Sequence, residues 1–166
     1  ARWMEKSALL TKSVTAAGAV GQSLIQGSAG AQTHMHPQPA NDVRDFLIHR
    51  DGQTYAGAHL LVDFWGGSRL NDADLMVTAL REAAEASDAT VLHVHVHEFG
   101  GEGGISGVAV LAESHISVHT WPELDYAAFD VFMCGQCRPE KAVAVLEEYF
   151  SPARAEVSEQ KRGLVE

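Results

Sequence analysis

The residues able to do chemistry crowd into one stretch, 104–134. It carries Gly104-Ile105-Ser106-Gly107, then Ala112-Glu113-Ser114-His115, then His119-Thr120-Trp121-Pro122-Glu123, then Tyr126-Ala127-Ala128 and Cys134-Gly135. Serine, histidine and cysteine can serve as nucleophile, base and thiol acid. Taken singly, each has a plainer reading: Ser106 as a turn serine, His119 as a satisfied strand histidine, Cys134 as a buried structural thiol. Upstream, His93, His95 and His97 form an H-x-H-x-H row. At the two-residue period of a strand they share one face, and such a row can ligate zinc, with His115 and His119 as further ligands. The two cysteines, Cys134 and Cys137, stand as C-x-x-C. One such pair cannot close a four-ligand zinc site. A redox pair would open a helix in a thioredoxin-like setting, which the flanking pattern does not match. No disulfide framework follows, so a reducing cytoplasm is the expected compartment.

These residues need elements to hold them. Residues 58–65 form a short apolar run ended by Gly66-Gly67, which predicts a buried strand. Asn71 or Asp72 can cap a helix on which Leu75, Val77, Leu80 and Ala84 recur near helical spacing. Further strands are predicted at 90–97, 105–112, 116–121 and 126–133, with a Gly-rich turn at 100–104 and a stop at Pro122. Pro139, near an N1 position, opens a second helix to Phe150, with Val143, Leu146 and Phe150 on one stripe. Residues 155–159 form a last strand. The order β-α-β-β-β-β-α-β predicts a sheet with helices on one face.

A chain of 166 residues, 46% hydrophobic and 20% charged, fits one domain of ordinary soluble composition. No apolar run approaches the roughly 20 residues that span a bilayer. The formal charge of −10 argues against nucleic acid or an anionic membrane as partner. Residues 1–52 differ from the rest: 1–38 are rich in Ala, Gly, Ser, Thr and Gln, ending near Pro37 and Pro39. The stretch 16–31 resembles a poor secretory signal, its apolar run broken by Gly18, Gly21, Gln22 and Ser23. The expected organisation is a flexible extension over 1–52 and one functional domain over 53–166.

The spaced groups between Gly104 and Cys134 resemble the S-adenosylmethionine decarboxylase proenzymes of bacteria and archaea. Their signature reads G-x-S-G, E-S-H-x-x-x-H-T-W-P-E, Y-A-A and C-G, and the similarity extends more loosely from His59 to Gly163. It implies an α/β (α+β) two-layer sandwich, a mostly antiparallel sheet with helices on one face. It also implies a zymogen cut between Glu113 and Ser114 into a β chain, 1–113, and an α chain, 114–166. The chemistry suits those residues. A serine hydroxyl attacks the preceding carbonyl and turns the peptide bond into an ester. Loss of the Cα proton eliminates that ester to dehydroalanine, which becomes a pyruvoyl group on the new chain. Donors for the tetrahedral intermediate and a base for the Cα proton are required.

The resemblance assigns the processing base to His119 and a supporting hydroxyl to Ser106. Because His119 lies five residues after Ser114, the backbone is expected to bend to bring them together, and strain there would help expose the scissile carbonyl. The pyruvoyl group would form a Schiff base with the substrate amine, and Cys134 would protonate the carbanion left after decarboxylation. Cys137 matches nothing in the pattern and reads as incidental. Trp121, Glu123 and Phe99 are implied as substrate contacts, for adenine and the ribose diol. Departures at Glu98, the 100–103 insertion, Asp125 and Met133 concern the pocket. A homodimer of processed protomers is implied, and the product would feed spermidine biosynthesis.

Rival readings are a pyruvoyl-dependent arginine or ornithine decarboxylase on the same scaffold, a His-ligated metal-dependent hydrolase, and an inactive relative retained as a binding partner. No metal is expected on the main reading.

Overall fold

The computed structural model describes residues 46–101 and 103–165; the expected extension lies, for 1–45, outside them. Seven strands and two helices follow in the order β1 (Ile48–Arg50), β2 (Gln53–Trp65), α1 (Ala73–Ala86), β3 (Val91–Glu98), β4 (Ile105–Leu111), β5 (Ser114–Trp121), a 3₁₀ turn (Pro122–Leu124), β6 (Tyr126–Met133), α2 (Pro139–Phe150) and β7 (Arg154–Val165). All strand pairs are antiparallel, in the order β1-β2-β6-β5-β4-β3, with β7 also pairing with β2.

Alternation decides the layers. Along β5, Ser114, Ile116, Val118 and Thr120 are buried while His115, Ser117, His119 and Trp121 are half-buried or exposed. β6 repeats this with Ala127, Phe129, Val131 and Met133 inward. The inward face meets Met76, Ala79, Leu80 and Ala83 of α1 and Ala142, Val143, Leu146 and Phe150 of α2 in one core. The opposite face carries no helix of the described residues. The result is the two-layer sandwich expected. Phe129 lies 5.8 Å from Phe150, ring centre to ring centre, and truncating such a buried aromatic costs about 3–5 kcal/mol.

Caps fix the helices. The Asp72 carboxylate accepts from the Leu75 N–H at 2.9 Å, so Asp72 rather than Asn71 is the α1 cap. Pro139 occupies the first turn of α2. Two features exceed the sequence expectations. β1 precedes residue 53 and pairs with the start of β2 through the Asp51-Gly52 turn, where both residues have positive φ, 54° and 72°. β7 runs along almost all of β2 rather than through 155–159 alone.

Candidate active site

The Glu113–Ser114 bond sits in the two-residue turn between β4 and β5, closed by the Leu111–Ser114 pair. Glu113 has φ of +63°, a left-handed conformation that costs a non-glycine residue about 1–2 kcal/mol. Strain is therefore present at the residue expected to carry the scissile carbonyl. Ser114 is buried on the helix-facing side. Its hydroxyl accepts from the Cys134 N–H at 3.3 Å and lies 3.7 Å from the Cys134 thiol. The same thiol donates to the Glu113 carbonyl at 3.3 Å. The end of β6 thus brings one thiol against both partners of the bond. Such an arrangement can polarise the carbonyl while the hydroxyl stands ready beside it.

Ser106 and His119 are paired at the other end of the sheet. They are register partners on β4 and β5, and the Ser106 hydroxyl meets His119 Nδ1 at 2.8 Å. The expected backbone bend is absent. β5 is paired on both flanks, by β4 and β6, in one continuous register. Ladders on both sides leave no room for the extra residue that a bend requires. Five residues of strand then separate Ser114 from His119 by about 17 Å and put them on opposite faces. Within one chain the dyad cannot reach the bond.

Beside the dyad a groove of about 370 Å³ is lined by Phe99, Gly104, Ser106, His119, Trp121 and Glu123, among others. All three expected substrate contacts stand here. The longer loop after β3 leaves Phe99 on the groove, because its N–H donates to the Gly104 carbonyl at 3.0 Å and closes the connection. Gly104 lies against the Thr120 backbone so closely that a Cβ would clash with its carbonyl oxygen. Thr120 anchors the floor: its hydroxyl accepts from the Ile105 N–H at 2.7 Å and donates to the Leu70 carbonyl at 2.8 Å.

An aromatic ladder runs along the open face from Trp121, which lines the groove. Tyr126 lies 5.3 Å from Trp121 and 4.3 Å from Trp65 between ring centres, and the Arg154 guanidinium covers Trp65 at 5.2 Å. The Tyr126 hydroxyl donates to Asp63. Burial, and then the Asp63 carboxylate, push that phenol up to about 12. Farther along the face, His59 contacts Asp130 at 3.2 Å, Ser117 donates to the same carboxylate at 3.2 Å, and His115 stacks on Phe132. Burial, then the neighbouring His59, hold His115 below the usual imidazole value, with Asp130 pulling the other way.

His93, His95 and His97 do share the open face, opposite Val110, Val108 and Ser106. Among the described residues no group of three or more His, Cys, Asp or Glu is placed to hold a metal ion. No described helix is long and apolar enough to cross a membrane.

The family model for S-adenosylmethionine decarboxylase matches residues 58–163, which include both the strained bond and the groove. The chain belongs to the S-adenosylmethionine decarboxylase family. An S-adenosylmethionine decarboxylase proenzyme of Thermomicrobium roseum is 44% identical over 110 residues, covering 66% of this chain and 95% of the relative. A proenzyme of the same name from Methanococcus maripaludis is 42% identical over 113 residues, covering 66% and 92%. The crystal structure of the adenosylmethionine decarboxylase from Aquifex aeolicus is similar with a TM-score of 0.60 at 30% identity, covering 66% of this chain and 92% of that one. Sequence reasoning gave no role to Thr120, Asp63 or Tyr126. Thr120 and Tyr126 stood inside the family's motifs, whereas Asp63 carried no signal of its own.

Proposed function

We propose that this chain is a self-processing, pyruvoyl-dependent decarboxylase that acts on S-adenosylmethionine. The observation that carries the reading is the contact set at one bond: Ser114 hydroxyl, Glu113 carbonyl and Cys134 thiol around a left-handed Glu113. In processing, the Ser114 Oγ attacks the Glu113 carbonyl carbon, and the Cys134 thiol donates to the oxygen as negative charge develops there. The C–N bond of the adduct then breaks, the freed amine takes up the proton lost by the hydroxyl, and relief of the Glu113 backbone favours the resulting ester. Loss of the Ser114 Cα proton then breaks the Cβ–O bond of the ester. Glu113 is left as the carboxylate end of chain 1–113, with a dehydroalanine on chain 114–166. Its imine tautomer takes up water and releases ammonia to leave the pyruvoyl group.

A pyruvoyl group suits this place, since its precursor hydroxyl is shielded from solvent and lies against a thiol. That group supplies an electrophilic carbonyl and a sink for the electrons released as carbon dioxide leaves. Cys134 returns a proton to the substrate carbon. Trp121 and Phe99 offer flat faces for adenine, and Glu123 accepts from the ribose diol.

The 17 Å between Ser114 and the dyad favours a homodimer with composite sites, in which Ser106, His119 and the groove of one chain serve Ser114 of its partner. The helix-free face, with exposed Leu61, Trp65, Val110 and Trp121, suits that pairing. Two unpaired thiols fit a cytoplasmic setting. The decarboxylated product would supply aminopropyl groups for spermidine.

Carbon dioxide release measured side by side with S-adenosylmethionine, arginine and ornithine tests the substrate. Turnover of S-adenosylmethionine alone is expected; preference for either amino acid would overturn the substrate reading and move the assignment to the rival decarboxylases.

A further inference from the structure

We propose that Cys134 and Cys137 are a thiol-modification site, closing a reversible disulfide under peroxide that withdraws the Cys134 thiol from the Glu113–Ser114 bond. The consequence for activity rests on the reading of Cys134 as proton donor; the pairing itself does not.

Geometry comes first. The Cys137 N–H donates to the Cys134 carbonyl at 3.3 Å, closing a four-residue turn between β6 and α2. Such turns hold their end Cα atoms within about 7 Å, and disulfides span Cα separations of about 4.4–6.8 Å. Both cysteines are free and half-buried. Both also line one cavity of about 200 Å³, together with Asp88 and Glu113, so a small oxidant meets them in the same space.

Little has to be given up on closure. Cys137 makes one weak contact, to the Asp88 carbonyl at 3.8 Å, and Cys134 gives up its bond to the Glu113 carbonyl. The backbone beyond the turn is pinned. The Arg138 N–H donates to the Ser87 carbonyl at 3.0 Å, and its guanidinium holds the Asp88 carboxylate at 2.8 Å. Side-chain rotation within the turn is therefore the motion required. Burial, then the neighbouring Cys134, then Asp88 push the Cys137 thiol above its ordinary value. A thiol raised in this way is the poorer first nucleophile toward peroxide, which leaves Cys137 the resolving role.

The chemistry balances. The Cys134 sulfur attacks one oxygen of hydrogen peroxide, the O–O bond breaks, and hydroxide leaves to become water. Cys134 is then a sulfenic acid. The Cys137 sulfur, giving up its proton, attacks that sulfur; the S–O bond breaks, a second water leaves and the S–S bond forms. Two thiols are oxidised and one peroxide is reduced.

The test treats purified full-length protein with hydrogen peroxide, then measures the mass of the Cys134–Cys137 peptide and carbon dioxide release. A peptide lighter by two hydrogens is expected, with activity lost and then restored by dithiothreitol. Cys137→Ser should keep basal activity but lose it under peroxide in a form that dithiothreitol restores far less, because Cys134 oxidises further without a resolving partner. Free thiols after treatment, or disulfides only between chains, would overturn the proposal, as would a Cys137→Ser protein recovering like the parent. A disulfide formed with full activity retained would uphold the pairing and overturn the role of Cys134.

Discussion

A single sulfur atom touches both Glu113 and Ser114, and in the proposed function Cys134 is where processing and decarboxylation meet. Its two duties separate by substitution. Cys134→Ser keeps a donor for the Glu113 carbonyl but replaces the thiol by a far weaker acid. Cleavage should continue, while decarboxylation falls by about 10²-fold or more, the scale of a lost general acid. Cys134→Ala removes both and should slow cleavage as well. A denaturing-gel time course beside carbon dioxide release checks the pair; equal loss in both assays for Cys134→Ser would contradict the split. Glu113 adds the strain at this scale, since its φ of +63° lies in a region that an L residue rarely occupies.

Elements determine how those residues are presented. Tyr126 lies between Trp121 and Trp65 and is tied to Asp63, so it backs the Trp121 ring that lines the groove. Tyr126→Phe keeps the ring and loses the tether. A net hydrogen bond of about 0.5–1.5 kcal/mol corresponds to a KM roughly two- to tenfold higher, with kcat and the rate of self-cleavage unchanged; steady-state kinetics decide it. Much of this layer was legible in the sequence. β5, β6 and both helices announced themselves because each buries one face and exposes the other, which writes period into the chain. β3 showed through its alternating residue types and β4 through its apolar run. Of β7 only 155–159 was legible, because nearly all of the strand is exposed on both sides and it pairs as an edge. β1 is too short to show a pattern, although the Asp51-Gly52 dipeptide was a usable turn signal. Trp121 and Glu123 were picked out by their motif and Phe99 by resemblance outside it, and all three line one groove. The bend expected to bring Ser114 and His119 together did not form, because β5 is paired on both flanks in one register.

For the molecule as a whole, the proposed composite site spans the distance between Ser114 and His119 with a second copy. Chains carrying Ser114→Ala and His119→Ala should complement when co-expressed. The mixed dimer then holds one site with an intact serine and an intact dyad, and the His119→Ala chain should be cleaved. Cleavage of neither chain would contradict a composite site. Stability should also follow pH through the open face. His115 is held below the ordinary imidazole value of 6.5, so the unfolded chain binds its proton more readily than the folded one. Its contribution is complete above that value and is lost as pH falls below it. Thermal unfolding between about pH 7 and pH 5 should show Tm falling with acid, and His115→Gln should flatten that fall.

The most direct test of the account is the intact mass of the purified protein under denaturing conditions. It predicts two fragments meeting at Glu113 and Ser114, the C-terminal one lacking a free amine, and one uncut species for Ser114→Ala. A single full-length mass for the parent chain, or two fragments from Ser114→Ala, would contradict it.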